Sequence, residues 1–337
     1  MQNIDWSTLG FGYMKCNYNI RVEYKDGKWG EPYLTEDEYI PVHMSAPCLH
    51  YGSEIFEGLK AFTGEDGKIR IFRPIENARR MAASAERLCM ASVPEELFVK
   101  SCVEVVRANR EFVPPYGYGA SLYIRPMLIG TNAVLGVHPA SEFLFCIFVA
   151  PVGAYFKSGL TPIEVMIDCE FDRAAPKGTG NVKCGGNYAA SIYPGEQAHH
   201  AGYSNVLYLD AAEHKYVEEC GAANFFGIKN GTYVTPKSQS ILPSITNMSL
   251  RQIAADMGLK IEERRVEFSE LPTFEECGAC GTAAVISPIG DIYHPDTDTH
   301  ITYGSEVGKY SHAMYDHLQG IQYGRVEDKH NWNVIVE

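Results

Sequence analysis

Two hydrophobic periods alternate along the chain. Lys68–Phe72 (K-I-R-I-F) has the period of two that marks a strand. Ile75, Ala78, Met81, Ala82, Ala85, Leu88 and Cys89 then recur at helical spacing. A second helix is predicted from Glu95 to about Phe112, where Pro114-Pro115 ends it. Ala120–Ile129 and Glu142–Val149 read as strands. The segment Ala150–Pro162 holds two prolines and two glycines, shows no period, and reads as a linker between domains.

A strand is predicted at Ile163–Asp168, followed by a Gly-rich loop over Lys177–Tyr188. A helix toward His200 must kink at Pro194 or absorb it. Val206–Leu209, Tyr216–Glu219, Asn224–Ile228 and Thr232–Val234 read as short antiparallel strands. Ser244–Met257 reads as a helix opened by Pro243-Ser244, and Ala283–Ile286 as a strand. Val307, Tyr310, Met314, His317, Leu318 and Ile321 mark a last helix. The mixture is α+β, with a small domain over 1–149, a linker over 150–161 and a larger domain over 162–337.

Composition narrows the class of function. A chain of 337 residues suits roughly two domains. Its 45% apolar and 21% charged content excludes a wholly disordered protein. The net charge is −13 and the basic residues form no cluster, which argues against nucleic acid and anionic membranes as partners. The longest apolar run, Phe143–Ala150, is too short to span a bilayer. Met1–Cys16 has neither the basic start nor the apolar core of a signal peptide. Ten cysteines are scattered, and Cys277 and Cys280 form a C-x-x-C without a second pair. No metal site is expected, and a reducing cytoplasm is.

Four segments carry candidate chemistry. Lys183 lies between Gly178/Gly180 and Gly185-Gly186, where glycines let backbone approach a ligand. It fits a Schiff-base nucleophile or an ordinary solvated lysine. Glu218 and Glu219, followed by small residues, fit either a partner for a pyridinium nitrogen or a pair of edge-strand charges. Leu242–Thr246 opens a predicted helix whose N–H groups suit an anion; Gly281–Ala284 is a second small-residue turn, and Arg73 ends a strand. Tyr123 and Arg125, two apart on a strand, share a face, and Arg is a bidentate partner for carboxylates.

Together these segments resemble the branched-chain amino acid aminotransferases, class IV (fold type IV) pyridoxal phosphate enzymes. The likeness runs from about Phe11 to Gly324. It is carried by L-H-Y-G-S-E-I-F-E-G-L-K-A-F (Leu49–Phe62), I-F-R-P (Ile71–Pro74), S-L-Y-I-R-P-M-L-I-G (Ser121–Gly130) and P-V-G-A-Y-F (Pro151–Phe156). G-N-V-K-C-G-G-N-Y (Gly180–Tyr188), E-C-G-A-A-N-F-F (Glu219–Phe226), I-L-P-S-I-T (Ile241–Thr246) and G-T-A-A (Gly281–Ala284) complete it.

The resemblance implies a small α+β domain and a larger one with a β-barrel-like core, the cofactor pyridoxal 5′-phosphate lying between them. It implies ping-pong transamination of L-leucine, L-isoleucine and L-valine with 2-oxoglutarate, giving branched-chain 2-oxo acids and L-glutamate. Lys183 resembles the lysine that holds the cofactor and moves the proton, Glu219 the partner of the ring nitrogen, and Tyr188 the partner of the phenolic oxygen. Arg73, Ile245, Thr246 and Thr282 resemble the phosphate site. Phe56, Tyr123, Arg125, Tyr155, Ala283 and Ala284 match the substrate pocket, with Arg125 the candidate receptor for glutamate's distal carboxylate. Tyr51, Leu135 and Val137 resemble residues that reach a neighbouring subunit's site, which implies a homodimer with shared sites.

The chain departs from that pattern in places. Some relatives carry a redox C-x-x-C after the G-T-A turn, where this chain has Ala284 and Ser287, so no such thiol switch is expected. Ala222 stands where some relatives have Thr, which removes one hydroxyl from the substrate-carboxylate region. The rival readings are a D-amino acid aminotransferase, an aminodeoxychorismate lyase, or a cofactor-free binding protein on the same scaffold.

Overall fold

The computed structural model describes residues 4–154 and 160–337. The chain divides into two compact units. One holds the described part of Met1–Tyr155 with Val182–Gly185 and Gly320–Glu337; the other holds the described part of Phe156–Asn181 with Gly186–Gln319.

The first unit is built on a nine-stranded antiparallel sheet. Its order is Asn333–Val336, Ile69–Phe72, Leu59–Thr63, Ser121–Gly130, Phe143–Val152, Asn19–Lys25 and Lys28–Trp29. Tyr33–Thr35 adds to Asn19–Lys25, and Glu54–Phe56 to Ser121–Gly130. The central strand shows the expected alternation. Leu122, Ile124 and Leu128 are buried, while Tyr123, Arg125 and Met127 are half-buried. Helices Pro74–Arg87 and Glu95–Ala108 supply Ala78, Met81, Ala85, Phe98, Cys102, Val105 and Val106 to the same core. Fully burying each large aliphatic side chain contributes about 1.5–3 kcal/mol. The opposite face, with Tyr123 and Arg125, is left for polar chemistry.

Pro126 sits in the middle of that strand without loss. Its carbonyl accepts from Glu57 N at 2.8 Å. Its ring nitrogen points to the same side, where the neighbouring strand is interrupted between Phe56 and Leu59. No donor is missed there.

The second unit contains a closed six-stranded barrel. Its strands are Val217–Cys220, Asn205–Leu209, Ile163–Ile167, Val285–His294, Glu276–Gly281 and Ala223–Lys229, the last pairing back to the first. This is the β-barrel-like core expected of the larger domain. Thr232–Pro236 and Lys260–Arg264 extend the sheet, and Thr299–Thr302 pairs with Val285–His294. The interior is packed by Val165, Ile167, Leu207, Phe225, Leu271, Ile289 and Ile292.

Two expectations change. Asn205–Leu209 and Thr232–Pro236 are not purely antiparallel, since each also has a parallel neighbour. The crossover between Ile163–Ile167 and Asn205–Leu209 contains helix Gly185–His200, as a parallel pair requires. That helix absorbs Pro194 without interruption. Ala283–Ile286 is not a strand throughout: 282–284 form a turn, and the strand starts at Val285. Val285 has φ +67°, and Ile286 N donates to Ala284 O at 2.9 Å across it. A β-branched residue in this tight turn stores strain beside the predicted phosphate residue Thr282.

Candidate active site

On the first unit, the lysine loop is fastened from both flanks. Val182 and Cys184, 2% and 6% exposed, insert into the core beneath the sheet. Lys183 N donates to Ser84 Oγ at 3.2 Å, and its carbonyl accepts from Phe56 N at 3.0 Å. Gly185 N donates to Glu54 Oε1, and a Cβ at Gly185 would collide with that carboxylate. Any larger residue there would displace the Glu54 carboxylate from this bond. Burial holds the Glu54 carboxyl above its ordinary range, opposed by the Gly185 bond. The Lys183 side chain is half-buried, with Nζ 4.8 Å from the centre of the Phe56 ring.

Arg125 lies against the same ring, its Cζ 4.9 Å from the centroid. Its Nη2 donates to Tyr123 Oη at 3.2 Å, and among the described residues its buried Nε has no hydrogen-bond partner. A buried guanidinium N–H of this kind can donate to a carboxylate oxygen. Lys60 pairs opposite Tyr123, and burial pushes its ammonium down to about 8. Phe11 caps Tyr123 edge-on at 5.1 Å. Beneath Phe56, the fully buried Glu57 accepts from Arg80 at 2.8 and 2.7 Å and from Asn77 at 2.8 Å.

Arg73 follows Ile69–Phe72 with φ +49°, its guanidinium 4.7 Å over the Trp332 ring. Tyr51 Oη donates to Leu135 O at 2.6 Å. Leu135 and Val137 are 85% and 83% exposed, unusual for aliphatic side chains. Tyr155 lies outside the described residues.

On the second unit, Glu219 is 3% exposed. Its Oε2 is 2.9 Å from Arg173 Nη1, and its Oε1 accepts from Asn224 Nδ2 at 2.6 Å. Burial pushes the carboxyl up to about 7, with Arg173 opposing. Arg173 also donates to Ser240 O. Glu218 is buried too, takes Ser238 Oγ at 2.6 Å, and is raised by burial. Neither acid is an edge-strand charge. Ile245 and Thr246 open helix Ile245–Asp256, and the Ser244 cap accepts from Asn247 N at 3.2 Å. First-turn N–H groups lack carbonyls from a preceding turn and favour anions. Tyr188 is half-buried on the first turn of helix Gly185–His200. The turn carrying Thr282, Ala283 and Ala284 and the Gly221-Ala222 hairpin lie at one end of the barrel, because Asn224 pairs with Cys280. Cys277 and Cys280 are buried with thiols pushed above the ordinary range by desolvation. Among the described residues no group of three potential ligands could hold a metal.

Arg173, Lys60, Phe11, Asn224 and Asn247 carry no role in the sequence reading. For Asn224 a signal exists. Gly221, with φ +55°, and Ala222 form a two-residue hairpin turn, which sets Asn224 opposite Glu219. Arg173 sits in an irregular segment with no period to point at it.

A lysine held at both ends, a guanidinium against the same aromatic ring, a buried carboxylate and a helix N-terminus are a set of parts found in amino-group transfer. The comparisons agree with that set. The family model for amino-transferase class IV matches residues 54–292. A branched-chain-amino-acid aminotransferase of Haemophilus influenzae is 49% identical, covering 100% of both chains. The solved branched-chain amino acid aminotransferase of Escherichia coli superposes with TM-score 0.80 at 28% identity, covering 96% of this chain and 100% of that one. Another solved branched-chain amino acid aminotransferase, with pyridoxamine 5′-phosphate, gives 0.78 at 25%, covering 96% and 100%. The chain belongs to the class IV aminotransferases.

Proposed function

We propose that the protein is a branched-chain amino acid aminotransferase, exchanging amino groups between L-leucine, L-isoleucine or L-valine and 2-oxoglutarate with pyridoxal 5′-phosphate as cofactor. The observation that carries this reading is the convergence of Lys183 Nζ and Arg125 Cζ on the Phe56 ring, at 4.8 and 4.9 Å. An amine that handles protons, a receptor for carboxylates and an apolar wall thus share one side chain.

The residues present suit the cofactor. A 3% exposed carboxylate beside Arg173 suits a protonated ring nitrogen, and the first turn of Ile245–Asp256 suits a phosphate. When bound, pyridoxal phosphate supplies the carbonyl that takes the amino group and the ring that accepts the electron pair released at Cα. Lys183 Nζ would carry the proton from Cα to the cofactor's C4′, and from C4′ back to Cα in the opposite half-reaction. Glu219 holds the ring nitrogen and Tyr188 the phenolic oxygen. Arg73, Ile245, Thr246 and Thr282 hold the phosphate. Arg125 and Tyr123 receive carboxylate oxygens, and Ala283 and Ala284 offer backbone N–H groups. Phe56 rejects polar side chains, although each methylene discriminates by only about 1–3 kcal/mol. The ping-pong sequence follows, since both amino donors use one pocket in turn.

Tyr51, Leu135 and Val137 serve the site of a second copy, making a homodimer the active form. Two strongly exposed aliphatic side chains beside a tied tyrosine support this. The ten free cysteines accord with a reducing compartment such as the cytoplasm. Among the described residues no helix is long and apolar enough to cross a membrane.

The test is a visible absorption spectrum before and after L-leucine. The expected result is a yellow protein whose band falls as a near-ultraviolet band rises. A yellow protein that ignores leucine and answers D-alanine would overturn the substrate assignment. A protein still colourless with added pyridoxal phosphate would overturn the cofactor.

A further inference from the structure

A chain of buried hydrogen bonds runs from Glu219 to the helix that opens with Ile245 and Thr246. Asn224 Nδ2 donates to Glu219 Oε1 at 2.6 Å and to Leu242 O at 3.0 Å. Asn247 Nδ2 donates to Asn224 Oδ1 at 3.1 Å and to Thr235 Oγ1 at 2.9 Å. Tyr233 Oη donates to Asn247 Oδ1 at 2.8 Å. Asn224, Thr235, Tyr233 and Asn247 are all under 7% exposed. Asn247 is the third residue of the helix, and its backbone N is the group that the Ser244 cap accepts.

The direction of every bond is forced. The Thr235 hydroxyl donates to Phe225 O at 2.8 Å, so its oxygen can only accept from Asn247. Asn224 spends its amide hydrogens on a carbonyl and a carboxylate, so its oxygen must accept. Each side-chain amide therefore has one permitted orientation, and the chain ends on Glu219 as acceptor. Apolar side chains of the same volume would pack the barrel–helix seam at no polar desolvation cost. What a fully satisfied polar network adds is fixed position.

We infer that Asn247, acting through Asn224, is a positioning residue: it sets the spacing between the Glu219 carboxylate and the helix N-terminus at Ile245 and Thr246. The inference rests on the cofactor reading above. A pyridine nitrogen and a phosphate joined by one ring and a short arm can lie only a narrow range of distances apart, so the groups that receive them must be held within that range. The strand carrying Glu219 and the helix carrying Thr246 belong to different layers of the second unit, and this network ties them directly.

The experiment compares two ligands on cofactor-free protein, pyridoxal phosphate and pyridoxal, in wild type and in Asn247→Leu. The expected result is a roughly tenfold weaker Kd for pyridoxal phosphate with the Kd for pyridoxal unchanged, in line with the effect of removing outer-shell hydrogen bonds elsewhere. The advantage conferred by the phosphate then shrinks tenfold. A general loss of structure would weaken both ligands alike, and an unchanged ratio between them overturns the inference. Should Asn247→Leu not fold, Asn247→Asp keeps the acceptor for Tyr233 and removes both donors, with the same ratio expected to shrink. Wild-type protein that binds neither ligand would overturn the cofactor reading itself, which is a different outcome from an unchanged ratio.

Discussion

Arg173 Nη1 lies 2.9 Å from Glu219 Oε2, and their side chains are 6% and 4% exposed. The pair stands inside the second unit with Asn224 on the other carboxylate oxygen. Removing one partner of such a pair leaves an uncompensated buried charge, at a cost of about 3–5 kcal/mol. Glu219 escapes part of that cost by taking up a proton. Arg173→Met is therefore expected to give a folded, less stable protein whose Glu219 is neutral at pH 7. On the proposed reading, neutral Glu219 would no longer keep the ring nitrogen protonated. Turnover should fall at least tenfold, and a variant with wild-type turnover would show that Arg173 does not govern the state of Glu219.

The same carboxyl gives a pH dependence with a definite sign. Its value is pushed up to about 7 in the folded chain, against an ordinary 4.5. Between those values the folded state binds more protons than the unfolded state, so stability falls as pH rises. The contribution is present in full below about pH 4.5 and is lost by about pH 7, worth roughly 3 kcal/mol at most. Chemical denaturation of cofactor-free protein at pH 5 and 7.5 measures it. Glu219→Gln should flatten the slope, and an equal slope in both proteins would place the titration elsewhere.

Parts of this arrangement are legible in the chain and parts are not, for physical reasons. Ser121–Gly130 alternates cleanly because one face meets two helices, and that alternation alone puts Tyr123 beside Arg125. The cap at Ser244 is visible because capping is local chemistry. Leu59–Thr63 shows no alternation, since four of its five residues are buried on both faces. Glu276–Gly281 is hidden similarly, its residues E-C-G-A-C-G, small after the first, lying between two barrel neighbours. Arg173 and Asn247 are invisible for another reason. Their contacts, with Glu219, Ser240, Asn224 and Tyr233, lie 14 to 67 residues away in the chain.

Lys183→Ala is expected to abolish transamination while leaving the protein folded. Val182 and Cys184 carry the packing of the loop, and the Lys183 backbone bonds to Ser84 and Phe56 do not use its side chain. Residual turnover near wild type would remove Lys183 from the reaction.

Glu54 is expected to matter through the backbone of the same loop. Its Oε1 receives Gly185 N, two residues after the lysine. Glu54→Ala should lower kcat about tenfold with KM for leucine little changed, a size typical of losing one hydrogen bond to a charged group. Glu54→Gln keeps an acceptor in place and should recover most of the loss. Equal defects in the two variants would mean that charge, not position, is what Glu54 provides.

Arg125 distinguishes the two amino donors. Among the described residues its buried Nε has no partner and its Nη2 donates to Tyr123 Oη, so on the proposed reading a second carboxylate on the substrate would be received there. Leucine has no distal carboxylate to lose. Arg125→Met should therefore reduce kcat/KM for 2-oxoglutarate about 10- to 150-fold, the cost of a lost charge-assisted hydrogen bond. KM for leucine should change far less. Equal losses for both substrates would assign Arg125 to the carboxylate they share.

Subunit sharing of the site has a quantitative test. Tyr51 is tied to Leu135 on the exposed surface of the first unit, while Lys183 is held in that unit's core-anchored loop. If Tyr51 completes a neighbour's site, Tyr51→Ala and Lys183→Ala homodimers are each inactive for different reasons. Mixed dimers have one site with both defects and one with neither. Random re-association makes about half of all dimers mixed, so about a quarter of wild-type activity should return. Unmixed, each protein stays silent. Failure of the mixture to recover activity, with mixed dimers shown to form, would mean that every site is complete within one chain, and Tyr51, Leu135 and Val137 would then need a different partner to explain their exposure.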